Sequence, residues 1–164
     1  MLTELAIKYG TDKAGPYTEF YDRMLGSRRE AIKSVLEIGI GSKEAMKHVP
    51  GYQPGASLRM WQEYFPNAMI VGLDIDDSVL VEGPRIRSYL RSRDFPLGPY
   101  DFILDDANHA PEEQIRTWRE FHGLLAPGGI YIIEDASPKG DFSALGPHVF
   151  VNFRFQREDA LILI

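Results

Sequence analysis

Residues 34–41 read SVLEIGIG, an apolar run that ends in two glycines one residue apart. A run of aliphatic and β-branched residues is typical of a strand buried on both faces of a parallel sheet. Gly39 and Gly41 let the backbone turn sharply and let a ligand approach it closely. The pattern is a shorter relative of the dinucleotide-binding glycine turn, and alone it also fits an ordinary tight turn.

An acidic residue accompanies each of the first two predicted strands. Glu37 lies inside the first strand, where an unpaired carboxylate is costly. Asp74 is near the end of the second predicted strand, residues 68–75, where an acid usually binds ribose hydroxyls. The alternative for Asp74 is a helix N-cap or a turn residue. Together the two acids favour the first half of a nucleoside-binding α/β sheet.

Helical and strand patterns alternate along the rest of the chain, which predicts a parallel sheet with helices on its faces. We predict an α/β fold of seven strands in one compact domain, with residues 1–33 as a helical cap and residues 34–164 as the sheet core. The predicted helices cover residues 2–9, 17–33, 58–65 after Ser57 as N-cap, and 111–125. The predicted strands cover residues 34–41, 68–75, 85–90, 100–106, 128–135, 149–155 and 160–164. The last two strands flank QRED, a gap of hairpin length, so we expect that pair to be antiparallel.

The stretch ILDDANHA places Asp105, Asp106 and His109 where a strand stops, and Glu134 and Asp135 end the following strand. If the two strands lie close in the sheet, four carboxylates gather at one edge, and they cannot all stay ionised without a cation or shifted pKa values. Hard oxygen ligands suit Mg²⁺, Mn²⁺ or Ca²⁺. His109 lies at the right reach for a general base. The alternative is that Asp106 caps the next helix and His109 is a solvated loop residue.

Composition and charge exclude several classes. The 164 residues include 18 Lys plus Arg and 24 Asp plus Glu, a net charge of −6, which argues against a surface that tracks nucleic-acid phosphates. The absence of cysteine excludes disulfides, thiolate catalysis and Cys-ligated zinc. The sequence shows neither a membrane-length apolar run nor a secretory signal, so we expect a cytoplasmic protein without membrane or nucleic-acid partners.

Four blocks carry a resemblance to a known family. They are YGTDK, GASLRMWQEYFPNAMIVGLDI, DFILDDANH and APGGIYIIED, in that order. The glycine turn with Asp74 resembles motifs one and two of class I S-adenosylmethionine-dependent methyltransferases. The four blocks resemble the metal-dependent sugar O-methyltransferases of macrolide tailoring, of the mycinamicin and tylosin type. The resemblance implies a Rossmann-like class I methyltransferase fold and methyl transfer from S-adenosylmethionine to a hydroxyl of a small-molecule acceptor, such as a natural-product sugar, with Mg²⁺ or a similar cation.

The resemblance also implies roles for single residues. Asp106, Glu134 and Asp135 fall on metal-ligand positions, and His109, with Asp106, falls on the catalytic positions. Asp12 would contact the cofactor as part of the YGTDK block. The further cofactor-binding positions are Tyr9, Thr11, Glu37, Gly39, Gly41, Asp74, Ser92, Arg93 and Asp105.

Three readings of the function stay open at this point: a sugar O-methyltransferase, a catechol-type O-methyltransferase and a cofactor-binding module. The family's usual DDGSH is DDANH here, which keeps both acids and the histidine. A catechol-type O-methyltransferase acting on an aromatic diol would use the same metal chemistry. A cofactor-binding module without catalysis would bind the cofactor but show no effect of a divalent metal. A homo-oligomer is compatible with each of these readings.

Overall fold

The computed structural model describes residues 1–92, 94–153 and 160–164. Its centre is one sheet of eight described strands in the order β3-β4-β2-β1-β5-β6-β8-β7. β1 pairs in parallel with β2 and β5, β4 adds parallel to β2, and β6 adds parallel to β5. The antiparallel pairs are β3–β4, β6–β8 and β7–β8. The strands are β1 Ser34–Ile38, β2 Met69–Asp74, β3 Glu82–Gly83, β4 Ile86–Leu90, β5 Tyr100–Asp105, β6 Leu125–Ala136, β7 Val149–Asn152 and β8 Ala160–Leu163.

In the described part of the chain four α-helices accompany the sheet, and α1 packs against both α2 and α3. The helices are α1 Leu2–Tyr9, α2 Pro16–Leu25, α3 Ala56–Tyr64 and α4 Pro111–Phe121. Short 3₁₀ turns occupy Gly26–Arg28, Asp77–Val79, His122–Leu124 and Ser143–Leu145. Within the described ranges, no helix has the length and apolar character needed to cross a membrane.

The two faces of the sheet pack against different elements. Along β5, Phe102 and Leu104 join the aromatic cluster of Tyr21 and Trp61, which belongs to the side of α2 and α3. Ile103 faces the opposite side, in the same cluster as Phe121 of α4. Full burial of each such side chain contributes about 1.5–3 kcal/mol. This two-sided packing fixes the strands, and therefore fixes where their carboxyl ends lie.

The α/β class, the mostly parallel sheet and the antiparallel last pair are confirmed. The predicted strand count of seven is wrong, because the two-residue strand β3 adds an eighth by pairing with β4. The division into a cap, residues 1–33, and a sheet core, residues 34–164, stays a prediction. Of the QRED gap and the predicted strand 149–155, residues 154–159 lie outside the described residues.

Several helix boundaries differ from the sequence prediction. The helix predicted over residues 111–125 ends at Phe121, where a 3₁₀ turn leads into β6 at Leu125. The helix predicted over residues 17–33 ends at Leu25, where the weak helix formers glycine and serine follow and the chain tightens into a 3₁₀ turn. Ser57 is not an N-cap. The left-handed Gly55, with φ 76°, precedes α3, and Ser57 is buried in its first turn.

Candidate active site

The carboxyl ends of β1, β2, β5 and β6 surround a cavity of about 930 Å³. The strand register places the carboxyl ends of β1, β5 and β6 side by side, because Ile38 pairs with Asp105 and Asp105 pairs with Ile133. The residues after β5 and at the end of β6 therefore lie at one edge of the sheet. Predicted site residues that line the cavity are Thr11, Asp12, Gly39, Gly41, Asp74, Asp106, His109 and Asp135.

The glycine turn after β1 is held from two sides. Gly39 and Gly41 have φ of 95° and 83°, values that residues other than glycine rarely adopt. A Cβ on Gly39 would lie 2.2 Å from the backbone oxygen of Asp106, so the turn passes directly against the chain that follows β5. The Ile40 N–H donates to Asp74 Oδ2 at 2.8 Å. Asp74 thus ties β2 to the turn while its side chain borders the cavity.

Among the described residues, Asp106, His109 and Asp135 form a group that could hold a metal ion. One ligand atom from each lies within 4.8 Å of the other two. His109 Nε2 is 3.6 Å from Asp106 Oδ1 and 3.6 Å from Asp135 Oδ2. Asp135 has φ 52°, an uncommon value outside glycine, and its Oδ1 accepts a 2.7 Å hydrogen bond from the Tyr17 hydroxyl. The two carboxylates of this group fit a divalent cation with oxygen preference.

Lys13, which was not among the predicted site residues, lies at the centre of the acidic cluster. Its Nζ donates to Asp106 Oδ2 and to Glu134 Oε2, both at 2.5 Å, and the side chain is only 2% exposed. The other oxygen of Glu134 accepts a hydrogen bond from the Tyr21 hydroxyl. A signal was present, because converging acids need a cation and Lys13 belongs to the quoted YGTDK block.

Burial and charge move the pKa values of this cluster in opposite directions. Burial works against ionisation of Asp106, but the Lys13 ammonium and His109 outweigh it and hold the pKa of Asp106 below its ordinary value. Burial, together with the charges of Asp106 and Asp135, raises the pKa of Glu134. Contact with Asp106, reinforced by the charge of Asp135, raises the pKa of His109. The Asp106 carboxylate therefore forms an ion pair with the Lys13 ammonium.

Two further predicted cofactor residues are buried carboxylates. Glu37 is 1% exposed, its Oε1 lies 3.8 Å from Lys13 Nζ, and among the described residues neither oxygen has a hydrogen-bond partner. Burial raises the pKa of Glu37 to about 7. Burial also raises the pKa of Asp105 to about 7, and Asp105 Oδ1 accepts the Ala107 N–H at 3.3 Å. Neither side chain is among the described residues that line the cavity.

The remaining predicted residues are spread more widely. The Tyr9 hydroxyl donates to Glu63 Oε2 at 2.5 Å, and Tyr9 is not among the described cavity residues. Ser92 is exposed and likewise absent from the described lining. Arg93 lies outside the described residues. Glu134 faces Lys13 and Tyr21, so the structure brings two of the three predicted metal ligands, Asp106 and Asp135, to the metal-suited group.

Several known O-methyltransferases are related to this chain in sequence. The chain is 38% identical over 153 residues to demethylmacrocin O-methyltransferase of Streptomyces fradiae, covering 82% of this chain and 36% of that protein. It is 36% identical over 146 residues to mycinamicin VI 2''-O-methyltransferase of Micromonospora griseorubida, covering 82% of this chain and 35% of that protein. The chain thus spans about a third of the length of these curated relatives. No family model matches the chain.

A solved structure agrees with the sequence relatives. The MycE methyltransferase in complex with Mg, SAH and mycinamycin VI superimposes with a TM-score of 0.75 at 25% identity, covering 99% of this chain and 53% of that one. The fold and the cluster at the strand ends define a class I methyltransferase domain. Within that class, the chain belongs with the sugar O-methyltransferases of macrolide and tetracenomycin biosynthesis, to which it is homologous.

Proposed function

We propose that this chain transfers a methyl group from S-adenosylmethionine to a hydroxyl of a small molecule, such as a sugar on a natural product, with the aid of a divalent cation. The observation that carries the proposal is one cavity that joins a nucleoside-type glycine turn to a metal-suited group. Two of the sequence relatives are named for methylation of demethylmacrocin and mycinamicin VI. These names support a sugar-bearing acceptor.

The cofactor half of the site is the glycine turn and its tether. Gly39 and Gly41 line the cavity, and their positive φ sets the course of the backbone there, so the turn is placed to contact the methionine portion. Asp74 borders the same cavity, at the strand end where an acid binds ribose hydroxyls. Thr11 and Asp12 line the cavity from the α1–α2 connection and would close over the cofactor. The assignments of Tyr9, Ser92 and Arg93 stay predictions.

The catalytic half of the cavity is formed by Asp106, His109 and Asp135. Asp106 and Asp135 present oxygen atoms, which Mg²⁺ prefers over imidazole nitrogen, so we assign them as ligands and His109 as the general base. Glu134 is kept as the third ligand that the resemblance implies. A bound cation would lower the pKa of the acceptor hydroxyl. The His109 side chain lines the cavity and is half exposed. A cation that neutralises Asp106 and Asp135 would offset the charges that raise the pKa of His109, which would leave Nε2 able to accept the acceptor's proton. The cavity walls would hold the acceptor oxygen in line with the methyl carbon.

Methyl transfer from labelled S-adenosylmethionine tests the acceptor class directly. We would compare macrolides carrying a sugar with a free hydroxyl against catechols, each with Mg²⁺ and with a chelator. Transfer to the sugar that the chelator abolishes is expected. Transfer only to catechols would replace this proposal by a catechol-type enzyme. Cofactor binding without transfer to either class, and without any effect of metal, would support a non-catalytic module.

Replacing Asp106 with asparagine is expected to weaken divalent-cation binding. The amide is a poorer ligand than the carboxylate that it replaces, and the Mg²⁺ concentration for half-maximal activity should rise about 100-fold or more. Asp77→Asn is the matched control, because Asp77 is exposed and outside the described cavity lining. An unchanged Mg²⁺ requirement in Asp106→Asn would remove Asp106 from the metal site.

The expectations about partners and location have less support. A small-molecule acceptor is part of the proposal above. The absence of nucleic-acid partners, a homo-oligomeric state and a cytoplasmic location stay predictions from the sequence.

A further inference from the structure

Lys13 connects two strand ends through one buried ammonium. The residue comes from the α1–α2 connection, and its Nζ reaches Asp106, which follows β5, and Glu134, which lies in β6. A third carboxylate, Glu37 of β1, lies 3.8 Å away. Lys13, Glu37 and Glu134 are each at most 2% exposed. An ammonium buried this deeply is stable only with such carboxylate partners.

Lys13 engages some of the carboxylate oxygens of the cluster and leaves others facing His109. Asp106 gives Oδ2 to Lys13, and its Oδ1 faces His109 and the metal-suited group. Both oxygens of Glu134 are engaged, one by Lys13 and the other by Tyr21. Lys13 therefore occupies oxygen atoms of two of the three residues that the family resemblance implies as metal ligands.

We propose that Lys13 is a positioning residue that acts as an internal counter-ion of the metal site and competes with the divalent cation for Asp106 and Glu134. The inference rests on the proposed metal dependence and extends it to the metal-free protein. In that state the ammonium holds the ends of β5 and β6 together. A divalent cation beside Asp106 must either displace the ammonium or bind against its repulsion, and both lower the affinity for the cation.

Two opposite effects of removing the charge follow from this competition. Without the ammonium, the carboxylates repel one another, so the metal-free fold loses stability. The same change frees the oxygens of Asp106 and Glu134 and removes the repulsion, so the cation binds more tightly. A lysine with a purely structural role would produce only the first effect.

Mn²⁺ titration of the whole chain tests the competition without an activity measurement. We would compare wild type with Lys13→Met, which keeps the length of the side chain but not its charge, by calorimetry and by thermal unfolding. Lys13→Met is expected to bind Mn²⁺ about tenfold more tightly. In the absence of Mn²⁺, Lys13→Met should unfold at a lower temperature than wild type. When both proteins are saturated with Mn²⁺, most of that difference in unfolding temperature should disappear.

Controls separate charge from chain length and from general surface effects. Lys8→Met changes an exposed lysine paired with Glu63 and should leave Mn²⁺ affinity unchanged. Lys13→Arg keeps the positive charge, so its Mn²⁺ affinity should not rise. If Lys13→Met does not fold even with Mn²⁺, the neutral Lys13→Gln is titrated in its place, with the same tenfold gain expected.

The outcomes distinguish this inference from the proposed function. Mn²⁺ binding by wild type that is equal or weaker in the neutral variant would overturn the role of Lys13 and leave the metal site standing. A gain in Lys13→Arg equal to that in Lys13→Met would also overturn it. If neither wild type nor a neutral variant binds Mn²⁺, the metal-dependent function itself fails.

Discussion

Replacing His109 with alanine is expected to lower turnover by about 10²–10⁴-fold, the usual contribution of a general base. Affinity for S-adenosylhomocysteine should stay within about twofold of wild type, because we assign His109 to the proton of the acceptor and not to the cofactor. Single-turnover rates and calorimetric titration of S-adenosylhomocysteine measure the two quantities separately.

A second histidine provides the control for this variant. His122 is exposed just after α4, where its Nδ1 lies 2.9 Å from the Trp118 carbonyl oxygen, and it is not among the described cavity residues. His122→Ala should keep wild-type turnover. Equal losses of turnover and cofactor affinity in His109→Ala would show a general disturbance of the site and would remove the base assignment.

Replacing Gly39 with alanine is expected to damage both the fold and the cofactor site. The new methyl group would meet the backbone oxygen of Asp106 at 2.2 Å, and backbone cannot move aside as a flexible side chain can. The φ of 95° adds strain, so the loss should reach about 3–5 kcal/mol of unfolding free energy. Chemical denaturation measures that loss, and calorimetry should show weaker binding of S-adenosylhomocysteine.

Gly128 separates the clash from the backbone strain. It has a comparable positive φ of 75°, but nothing lies within 4 Å of the position that its Cβ would take. Gly128→Ala should therefore cost only about 1–2 kcal/mol and leave the binding of S-adenosylhomocysteine unchanged. Equal costs for the two substitutions would show that the close approach of Gly39 to the Asp106 backbone has no energetic effect.

Much of the architecture could be predicted from local patterns. Buried parallel strands are continuous apolar runs, so SVLEIGIG and the strands like it were recognisable without knowledge of their neighbours. The short strand Glu82–Gly83 was not recognisable, because two residues carry no periodicity and form a strand only by pairing with β4. The end of α2 at Leu25 also escaped prediction, because helical spacing of apolar residues continues past it.

In the candidate site, too, some residues could be predicted from local sequence patterns and others could not. Asp106, His109 and Asp135 lie near strand ends, and parallel topology brings strand ends together, so their proximity followed from the sequence pattern. The contact of Lys13 with Asp106 spans 93 positions along the chain and depends on how the α1–α2 connection lies over the sheet. Periodicity and spacing contain no information about that placement.

Calorimetric titration with S-adenosylhomocysteine, with and without Mg²⁺, tests the central claim most directly. The proposal predicts a micromolar dissociation constant, about −8 kcal/mol of binding free energy, together with a heat that depends on Mg²⁺. The first result would establish the cofactor class, and the second would support the carboxylate cluster as a metal site. No binding under either condition would leave the fold intact but contradict methyl transfer by this chain.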